Sequence, residues 1–562
     1  MREGAQSSRC IANQQILLKT IRRSIGSLFA LTSLFLANIS DAADLSAAEI
    51  FTDGMVLQQQ MDVPVWGNAS AGDTIQVNFG GQETTATVDQ AGKWMAKLSP
   101  MKASAESRTI VISSQASGSS FQVSNVLVGE VWLCAGQSNM AWTLSKLTAK
   151  PNPQSEYEPL ADYLRNEIQT ANDPLLRQFA VVGVVSPGKE VTHIRSKSGC
   201  LAAVQGNTGD FSGTGYFFGR ELRTQLGVPV GLVYSNRGGT EIEPWIPKRE
   251  YLNTAEDKAF YETETAKLAP VAMKQHQAAY QKKLAVWKQQ AAAAKAAGKR
   301  APRKPSDTFN ANRIPAALYN GFIHSLAPYA MQGTIWYQGE SNTNYRTEHY
   351  RDSMLALING WRSHWGQETF YFIWCQLANK HAANAEPIDQ DNWAEIQNQQ
   401  REVLALTDDT GMAVLNDIGE ANNIHPKNKV GAGKRLALWA LKQAYGQELV
   451  CSGPLYNSAH VDGIRVIVTF DHVGSGLMVG NKYLMEPTEA VQVPLQRFQI
   501  RGADKQWQWA EAKIVGADTV AVWHPNIPAP VEVRYAWSAN PEGANLYNKE
   551  GLPASLFKAT VE

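Results

Sequence analysis

The sequence predicts an α/β fold in which a parallel sheet, covered by helices on both faces, is flanked by β regions. From about residue 126 to residue 449, apolar strand-like runs alternate with segments of helical spacing, which is typical of parallel sheets. Residues 44–125 alternate apolar and polar positions between glycine turns, and this pattern predicts a small β-sandwich-like domain. From residue 450 to residue 562 the chain returns to short strand-like segments, which predicts a C-terminal β domain.

Length and composition are those of an ordinary globular protein. The 562 residues are enough for two to four domains, with 44% hydrophobic and 19% charged residues. The formal net charge is zero, so neither nucleic acid nor an anionic membrane surface is an expected partner. The 16 tryptophans suit core packing first, and some of them suit sugar rings.

The N-terminus, residues 1–43, resembles an export signal. Lys19, Arg22 and Arg23 precede an apolar run at 25–36, and small residues follow up to residue 43. The apolar run is too short to span a bilayer as a helix. We therefore expect a mature protein that is exported to the periplasm or the extracellular space.

Cysteine usage gives no framework of disulfides and no metal site. Outside the export signal the cysteines are Cys134, Cys200, Cys375 and Cys451, which are scattered along a long chain. None of them stands at zinc-ligand spacing from a histidine. We expect no metal.

The central region from residue 126 to residue 449 carries five predicted parallel strands and their helices. The strands are expected at 131–135, 228–234, 333–337, 369–375 and 412–417, and the helices at 216–226, 350–365, 393–406 and 430–445. Residues 251–312 interrupt this rhythm and are rich in Ala, Lys and Gln. They predict a helical hairpin or one long surface helix.

Residues that could carry out chemistry lie in the loops after four of these strands. Ser138 follows the first strand, Gly238-Gly239 the second, Asn342 the third, and His425 lies in the loop after the last. Because the C-terminal ends of parallel strands meet at one edge of a sheet, these groups are expected to converge.

The residue types at this edge predict acyl transfer. Ser138 is the candidate nucleophile, and its inert hydroxyl needs a base, for which His425 is the best placed of the ten histidines. The N–H groups of Ser138 and of Gly238 or Gly239, with the side-chain amide of Asn342, are candidate donors to an oxyanion. The double glycine also suits a turn with positive φ.

Several strings in the chain resemble the sialate O-acetylesterase family of the SGNH hydrolase superfamily. They are Gly-Gln-Ser-Asn-Met (136–140), Gly-Gly-Thr-x-Ile-Glu-x-Trp (238–245), Trp-Tyr-Gln-Gly-Glu-Ser-Asn (336–342), Asp-Ile-Gly (417–419) with Ile-His-Pro-Lys-Asn-Lys (424–429), and weaker matches at 51–58, 216–222, 319–321 and 545–548. The resemblance implies a flavodoxin-like, three-layer α/β/α hydrolase domain with β-sandwich accessory domains. It also implies hydrolysis of O-acetyl esters on sugars without a metal or cofactor.

The candidate substrate-binding residues at these strand ends are Gln137, Arg237, Gln338 and Glu340. Arg237 stands where the family usually has Trp. Such an arginine can pair with a carboxylate of an acidic sugar.

The chain departs from the family at the residue that orients the histidine. Members of the family often have Asp two residues before the histidine, where this sequence has Asn423, and the broader superfamily has Asp three residues before it, where this sequence has Asn422. Neither asparagine can hold an imidazolium by charge. Asp417 is the candidate acid, because it ends the strand that leads to the histidine. A Ser-His dyad, oriented by a backbone carbonyl or the Asn423 amide oxygen, is the alternative.

These observations predict an exported serine esterase that removes acetyl groups from a carbohydrate, with plant glycans such as xyloglucan or xylan favoured. The alternatives are an esterase for 9-O-acetyl sialic acid and a non-catalytic carbohydrate-binding protein. A lipid or thioester hydrolase would need an acyl tunnel. The oligomeric state is left open.

Overall fold

The computed structural model describes residues 44–305 and 309–561, which fall into one compact unit. The predicted export signal lies outside the described residues. Within them, no helix has both the length and the apolar character needed to cross a bilayer.

The N-terminal part is built from β-strands. They are β1 (Ser46–Ala47), β2 (Val56–Gln58), β3 (Val63–Asn68), β4 (Thr74–Phe79), β5 (Gln82–Thr87), β6 (Lys93–Leu98), β7 (Ser104–Ser114) and β8 (Ser120–Gly136). In β4, Ile75, Val77 and Phe79 are buried and the residues between them are half-buried, as the period of two predicts. Strands β1, β3 and β6 form a separate three-stranded antiparallel sheet.

The central part alternates helices and strands. Its elements are α1 (Ser138–Ala141), α2 (Leu144–Thr148), α3 (Glu158–Thr170), β9 (Asn172–Val181), β10 (Ser196–Val204), α4 (Gly213–Leu226), β11 (Val230–Asn236), α5 (Ala255–Ala266), α6 (Pro270–Ala296), β12 (Gly333–Tyr337), α7 (Tyr350–Trp365), β13 (Tyr371–Cys375), α8 (Asn392–Glu402), β14 (Thr410–Ala413) and α9 (Lys429–Gln443). The insertion is helical, and none of the 27 residues of α6 is buried.

The five predicted strands are neighbours in one sheet. Its order is β10-β9-β11-β8-β12-β13-β14, and every pair except β10 with β9 is parallel. The five predicted strands correspond to β8, β11, β12, β13 and β14. Across the sheet they lie in the order β11, β8, β12, β13, β14, so the second strand in the chain lies outside the first. Their C-terminal ends therefore lie along one edge, with the end of β8 between those of β11 and β12.

Helices cover both faces of this sheet. Val131, Leu133 and Ala135 of β8 pack in a hydrophobic cluster that contains residues of α7 and α8. Trp132 and Cys134, on the opposite face, pack in a second cluster with residues of α4 and α9. Because successive side chains of a strand alternate between faces, the single strand β8 contributes to both cores.

Strand β8 runs without a break for 17 residues and joins the N-terminal strands to the parallel sheet. Its first part pairs with β7 and, in parallel, with β2, and its second part pairs with β11 and β12. The domain boundary expected at residues 125 and 126 falls inside this strand. The sequence pattern changes there because the environment of the strand changes, while its backbone continues.

The C-terminal part consists of small antiparallel sheets. Its strands are β15 (Leu455–Asp462), β16 (Arg465–Asp471), β17 (Leu477–Asn481), β18 (Glu489–Ala490), β19 (Phe498–Arg501), β20 (Gln508–Trp509), β21 (Glu511–Ile514), β22 (Thr519–Trp523), β23 (Glu532–Tyr535), β24 (Leu546–Asn548) and β25 (Phe557–Thr560). They form the sheets β15-β16-β22-β21, β18-β17-β24 and β20-β19-β23-β25. A third hydrophobic cluster, which includes Phe498, Tyr535 and Phe557, lies between them.

Candidate active site

Ser138 lies on a tight turn between β8 and α1. The last residue of β8, Gly136, has a φ of +136°, and a Cβ there would stand 2.3 Å from the carbonyl oxygen of Tyr337. Only glycine permits β8 and β12 to lie so close at this point. The Gln137 N–H donates to the same oxygen over 2.9 Å. Ser138 begins α1 and is half-buried, so its hydroxyl stands at the edge of the sheet.

The double glycine after β11 lies against Ser138. A Cβ on Gly238 would be 3.4 Å from the Cβ of Ser138. Thr240 Oγ1 closes the turn by donating to the Arg237 carbonyl over 2.8 Å, and Gly239 has a φ of +70°. Both glycines are exposed. In the described chain, the N–H groups of Ser138, Gly238 and Gly239 donate to no protein acceptor, so they are free to bind a substrate oxygen.

The loop that carries His425 is fastened to Asn139 of α1 and to Trp142, which directly follows this helix. Asn139 Nδ2 donates to the Ile424 carbonyl over 2.9 Å. The His425 ring stacks on Trp142, with centroids 4.1 Å apart and an interplanar angle of 17°. The Trp142 N–H in turn donates to the Ser138 carbonyl. The imidazole therefore lies against the residue that stands one helical turn after Ser138, and within the described chain no hydrogen bond joins the ring to the Ser138 hydroxyl.

The His425 imidazole is uncharged at neutral pH. Burial lowers its pKa to about 4, and the positive charges of Lys429 and Lys146 contribute to this shift. A neutral imidazole is the form that can take a proton from a serine hydroxyl. Among the described residues, no carboxylate contacts the ring.

Comparisons with known proteins identify relatives of the chain. The sequence model of the family "carbohydrate esterase, sialic acid-specific acetylesterase" matches residues 128–292 and 309–442. A carbohydrate acetylesterase from Xanthomonas citri has a similar structure, with a TM-score of 0.71 and 34% identity over 92% of this chain and 99% of its own. The chain belongs to this acetylesterase family.

Curated relatives of the enzyme extend over nearly the whole chain. The sialate O-acetylesterase of Mus musculus is 27% identical over 577 residues, covering 96% of this chain and 99% of its own. The human sialate O-acetylesterase is 26% identical and covers 92% of each chain. The resemblance inferred from the sequence motifs is thus confirmed, and the protein is an acetylesterase of carbohydrate esters.

Asn423, at the position of the missing family aspartate, stabilises the turn of the histidine loop. Its Oδ1 accepts from the His425 N–H over 3.0 Å, and its Nδ2 donates to the His425 carbonyl over 2.8 Å. The same Nδ2 donates to Glu420 Oε2 over 2.9 Å. Glu420 is buried, so an aspartate here would place two carboxylates in contact. The Asn423 amide donates to the Glu420 carboxylate, which an aspartate at residue 423 could not do when ionised.

Asp417, the candidate acid, belongs to a different interaction. Its two oxygens accept from Arg435 NH1 and NH2 over 2.6 and 2.8 Å, and both side chains are more than 90% buried. Neither oxygen contacts His425 within the described chain. Strand β14 ends at Ala413 and not at residue 417 as expected, so Asp417 lies in the following loop, where it forms a buried ion pair with Arg435 of α9 and does not orient His425.

Asn342 does not have a free donor for an oxyanion, contrary to the prediction. It is fully buried, and its Nδ2 donates to Glu243 Oε2 over 3.1 Å and to the Tyr345 carbonyl over 3.2 Å. Its Oδ1 accepts from the Ile242 N–H. Burial raises the pKa of Glu243 to about 7. Asn342 thus joins the loops after β11 and β12 behind the serine.

Three of the four candidate substrate contacts are also internal. Gln137, Gln338 and Glu340 are each at most 5% exposed. Gln137 Oε1 accepts from the Ser341 N–H over 3.3 Å, and Gln338 Nε2 donates to the Thr240 carbonyl over 3.1 Å. These side chains fix the loops around Ser138. Arg237 differs, because it is exposed and, within the described residues, its guanidinium makes a single hydrogen bond, from Nε to Asn312 Oδ1 over 3.2 Å.

A buried polar cluster below the serine was not expected from the sequence. Lys429 Nζ donates to Asn139 Oδ1 over 2.5 Å, and Asn139 Nδ2 donates to Glu340 Oε1. Burial lowers the pKa of Lys429 to about 8 and raises that of Glu340. Asn139 and Lys429 stand in the motif strings, but only the fold shows that they meet.

No metal site accompanies these groups. In residues 44–305 and 309–561, no cluster of three or more His, Cys, Asp or Glu side chains has an arrangement that could hold a metal ion.

Proposed function

We propose that this acetylesterase removes acetyl groups from neutral plant-type glycans, such as xyloglucan or xylan or their oligosaccharides, through a Ser138–His425 dyad. The observation that supports this most is the meeting of three groups at one sheet edge: the Ser138 turn, the free N–H groups of Gly238 and Gly239, and the His425 loop. We assign the parallel sheet and its two helical layers to the flavodoxin-like, three-layer arrangement of SGNH hydrolases.

The proposed reaction has two steps. His425 takes the proton of the Ser138 hydroxyl while Oγ attacks the acetyl carbonyl carbon, and the N–H groups of Ser138 and Gly238 or Gly239 bind the developing oxyanion. The sugar oxygen leaves with the proton from the imidazolium. A water molecule, deprotonated by the same imidazole, then attacks the acetyl-serine, and Ser138 Oγ leaves with the proton from the imidazolium as the acetyl group is released as acetic acid.

Trp142 takes part of the role of the missing carboxylate. The imidazolium that forms during the reaction lies flat on the indole, at 4.1 Å between centroids, and a cation over an aromatic face gains about 0.5–2 kcal/mol. The stacking also fixes the plane of the ring. The backbone hydrogen bonds of Asn423 hold the loop that carries it.

A second candidate substrate is 9-O-acetyl sialic acid. One observation favours it: Arg237 is exposed next to Gly238, where its guanidinium can pair with a sugar carboxylate. The mammalian relatives are named sialate O-acetylesterases.

Acetate release from acetylated xyloglucan, acetylated xylan and O-acetylated sialoglycans distinguishes the two substrates. We expect turnover of the neutral glycans, with Arg237→Gln changing their kcat/KM less than threefold. A preference for sialoglycans that Arg237→Gln abolishes would favour the second candidate.

The dyad is tested with 4-nitrophenyl acetate. Ser138→Ala should abolish hydrolysis and leave the circular-dichroism spectrum unchanged, while the matched control Ser145→Ala, an exposed serine on α2, should retain activity. Near-normal activity of Ser138→Ala would contradict the assignment.

We also propose that residues 1–43 direct export and are then removed. N-terminal sequencing of the secreted protein tests this, and a mature N-terminus near residue 43 or 44 is expected.

A further inference from the structure

A cavity of about 870 Å³ lies between the sheet β1-β3-β6 and the central part of the chain. On the sheet side it is lined by Trp66, Asn68 and Met95, and on the other side by His193, Ser325 and His364. Small-molecule sites have volumes of about 300–1,000 Å³. The cavity is therefore large enough for a short oligosaccharide.

This cavity is far from the catalytic serine. Tyr350 begins α7 at the catalytic edge, where its hydroxyl donates to the Gln338 carbonyl. His364 lies one residue before the end of the same helix, and at about 1.5 Å of rise per residue the helix separates them by about 21 Å. The cavity thus opens near the opposite edge of the parallel sheet.

Two of the lining residues each have a buried polar atom without a protein partner in the described chain. Trp94 is 3% exposed and Ser325 is 8% exposed, and both line the cavity. Trp94 Nε1 and Ser325 Oγ make no hydrogen bond within the described chain. A buried polar group left without a partner costs about 1–3 kcal/mol. Both atoms are closed to solvent in this structure, so a ligand in the cavity would contact the accessible side chains of its lining, such as Trp66 and Asn68.

The sheet side of the cavity is both apolar and polar. Trp66 lies on the outward face of β3, with Phe51 against its ring at 4.9 Å. Its cross-strand neighbour is Met95, which is 48% exposed, and Asn68 faces Lys93 in the same pairing. An indole beside polar side chains provides an apolar plane for the C–H face of a sugar and hydrogen-bonding groups for its edge.

The charges of the lining oppose an anionic ligand. Its formally charged side chains are Glu49, Asp89 and Lys93, so a carboxylate would meet two acids and one amine. Burial lowers the pKa of His364, which keeps that ring neutral at pH 7.

We propose that this cavity binds a neutral oligosaccharide segment of the glycan whose acetyl groups are removed at Ser138. The choice of glycan rests on the proposed function, whereas the site itself rests on the cavity and on the accessible Trp66 and Asn68 in its lining. Binding here would tether a long substrate to the enzyme and would leave small esters unaffected.

Titration calorimetry with xyloglucan oligosaccharides that carry no acetyl groups tests the proposal in the full chain. Both the unaltered protein and Ser138→Ala should bind, because binding here does not need the nucleophile. Trp66→Ala should raise the Kd at least tenfold, and Asn68→Ala, a change at an exposed position, should raise it about three- to tenfold. The matched control is Trp523→Ala, another half-buried tryptophan on a strand, which should bind as the unaltered protein does.

Activity measurements separate this site from the catalytic one. Trp66→Ala and Asn68→Ala should have the kcat/KM of the unaltered protein for 4-nitrophenyl acetate. For acetylated xyloglucan, their kcat/KM should be lower. Unchanged oligosaccharide affinity in Asn68→Ala, or in a folded Trp66→Ala, would overturn the proposal, as would tighter binding of sialyllactose than of the neutral oligosaccharide. The catalytic proposal is tested separately. If Ser138→Ala binds the oligosaccharide but does not hydrolyse 4-nitrophenyl acetate, the catalytic role of Ser138 stands whether or not Trp66 and Asn68 form the binding site.

Discussion

Restoring the family's aspartate should weaken this enzyme instead of improving it. In Asn423→Asp, the amide nitrogen that donates to Glu420 Oε2 and to the His425 carbonyl becomes an oxygen. Two hydrogen bonds are lost, which together are worth about 2–3 kcal/mol. If both carboxylates stay ionised at the present 2.9 Å, their repulsion adds up to about 6 kcal/mol at an effective dielectric constant of about 20.

The pair can relieve part of this repulsion by binding a proton. The loss that then remains is about 3 kcal/mol, which corresponds to roughly a hundredfold in an equilibrium constant. We expect kcat/KM for 4-nitrophenyl acetate to fall by up to this factor at pH 7, with a deficit that shrinks toward lower pH as a proton relieves the repulsion between the two carboxylates. The measurement is a pH series of kcat/KM, with urea unfolding monitored in parallel.

Two further variants make the test specific. Asn422→Asp, the same change at the exposed neighbouring position, is the matched control and should behave as the unaltered enzyme. Adding Glu420→Gln to Asn423→Asp should recover most of the activity, because the glutamine amide can donate to the new carboxylate. Higher activity in Asn423→Asp alone, without loss of stability, would refute this account of the loop.

Two other outcomes follow from the same geometry. Asp417→Asn should lower the free energy of unfolding by about 3 kcal/mol, since it leaves Arg435 buried without its charge partner, and the shift of the urea midpoint measures this loss. The same variant should change kcat/KM of the folded enzyme less than tenfold. A thousandfold loss of activity would show that Asp417 belongs to the catalytic machinery. The acid limb of the kcat/KM profile should lie near pH 4, because the base must be unprotonated and the pKa of His425 is lowered to about 4; a limb at pH 6.5 would show that burial does not depress it.

The sequence predicted the supporting frame of the site well, because periodicity and strand ends are local signals. The strand Gly333–Tyr337 and the helix Tyr350–Trp365 have the bounds that the pattern indicated. The convergence of the serine, the double glycine and the histidine loop followed from one rule, that parallel strands share a C-terminal edge.

Side-chain directions within the loops could not be predicted in this way. Asn342 and Gln338 are polar residues after a strand, as a site residue would be, yet their partners are backbone groups and Glu243 of another loop. The partner of Asp417 is Arg435, which comes 18 positions later and on a helix. Such pairings depend on how elements pack, and a single sequence carries no direct record of that.

The continuous strand β8 also determines where the polypeptide can be divided. A fragment that began at residue 126 would start within this strand and would lose β2, whose Gln58 accepts from the Val131 N–H over 2.7 Å and donates to Glu130 over 2.9 Å. The uncovered backbone would offer an open edge to other chains. The N-terminal strands are thus a permanent partner of the hydrolytic region, and shortening the protein from that end would expose it to aggregation.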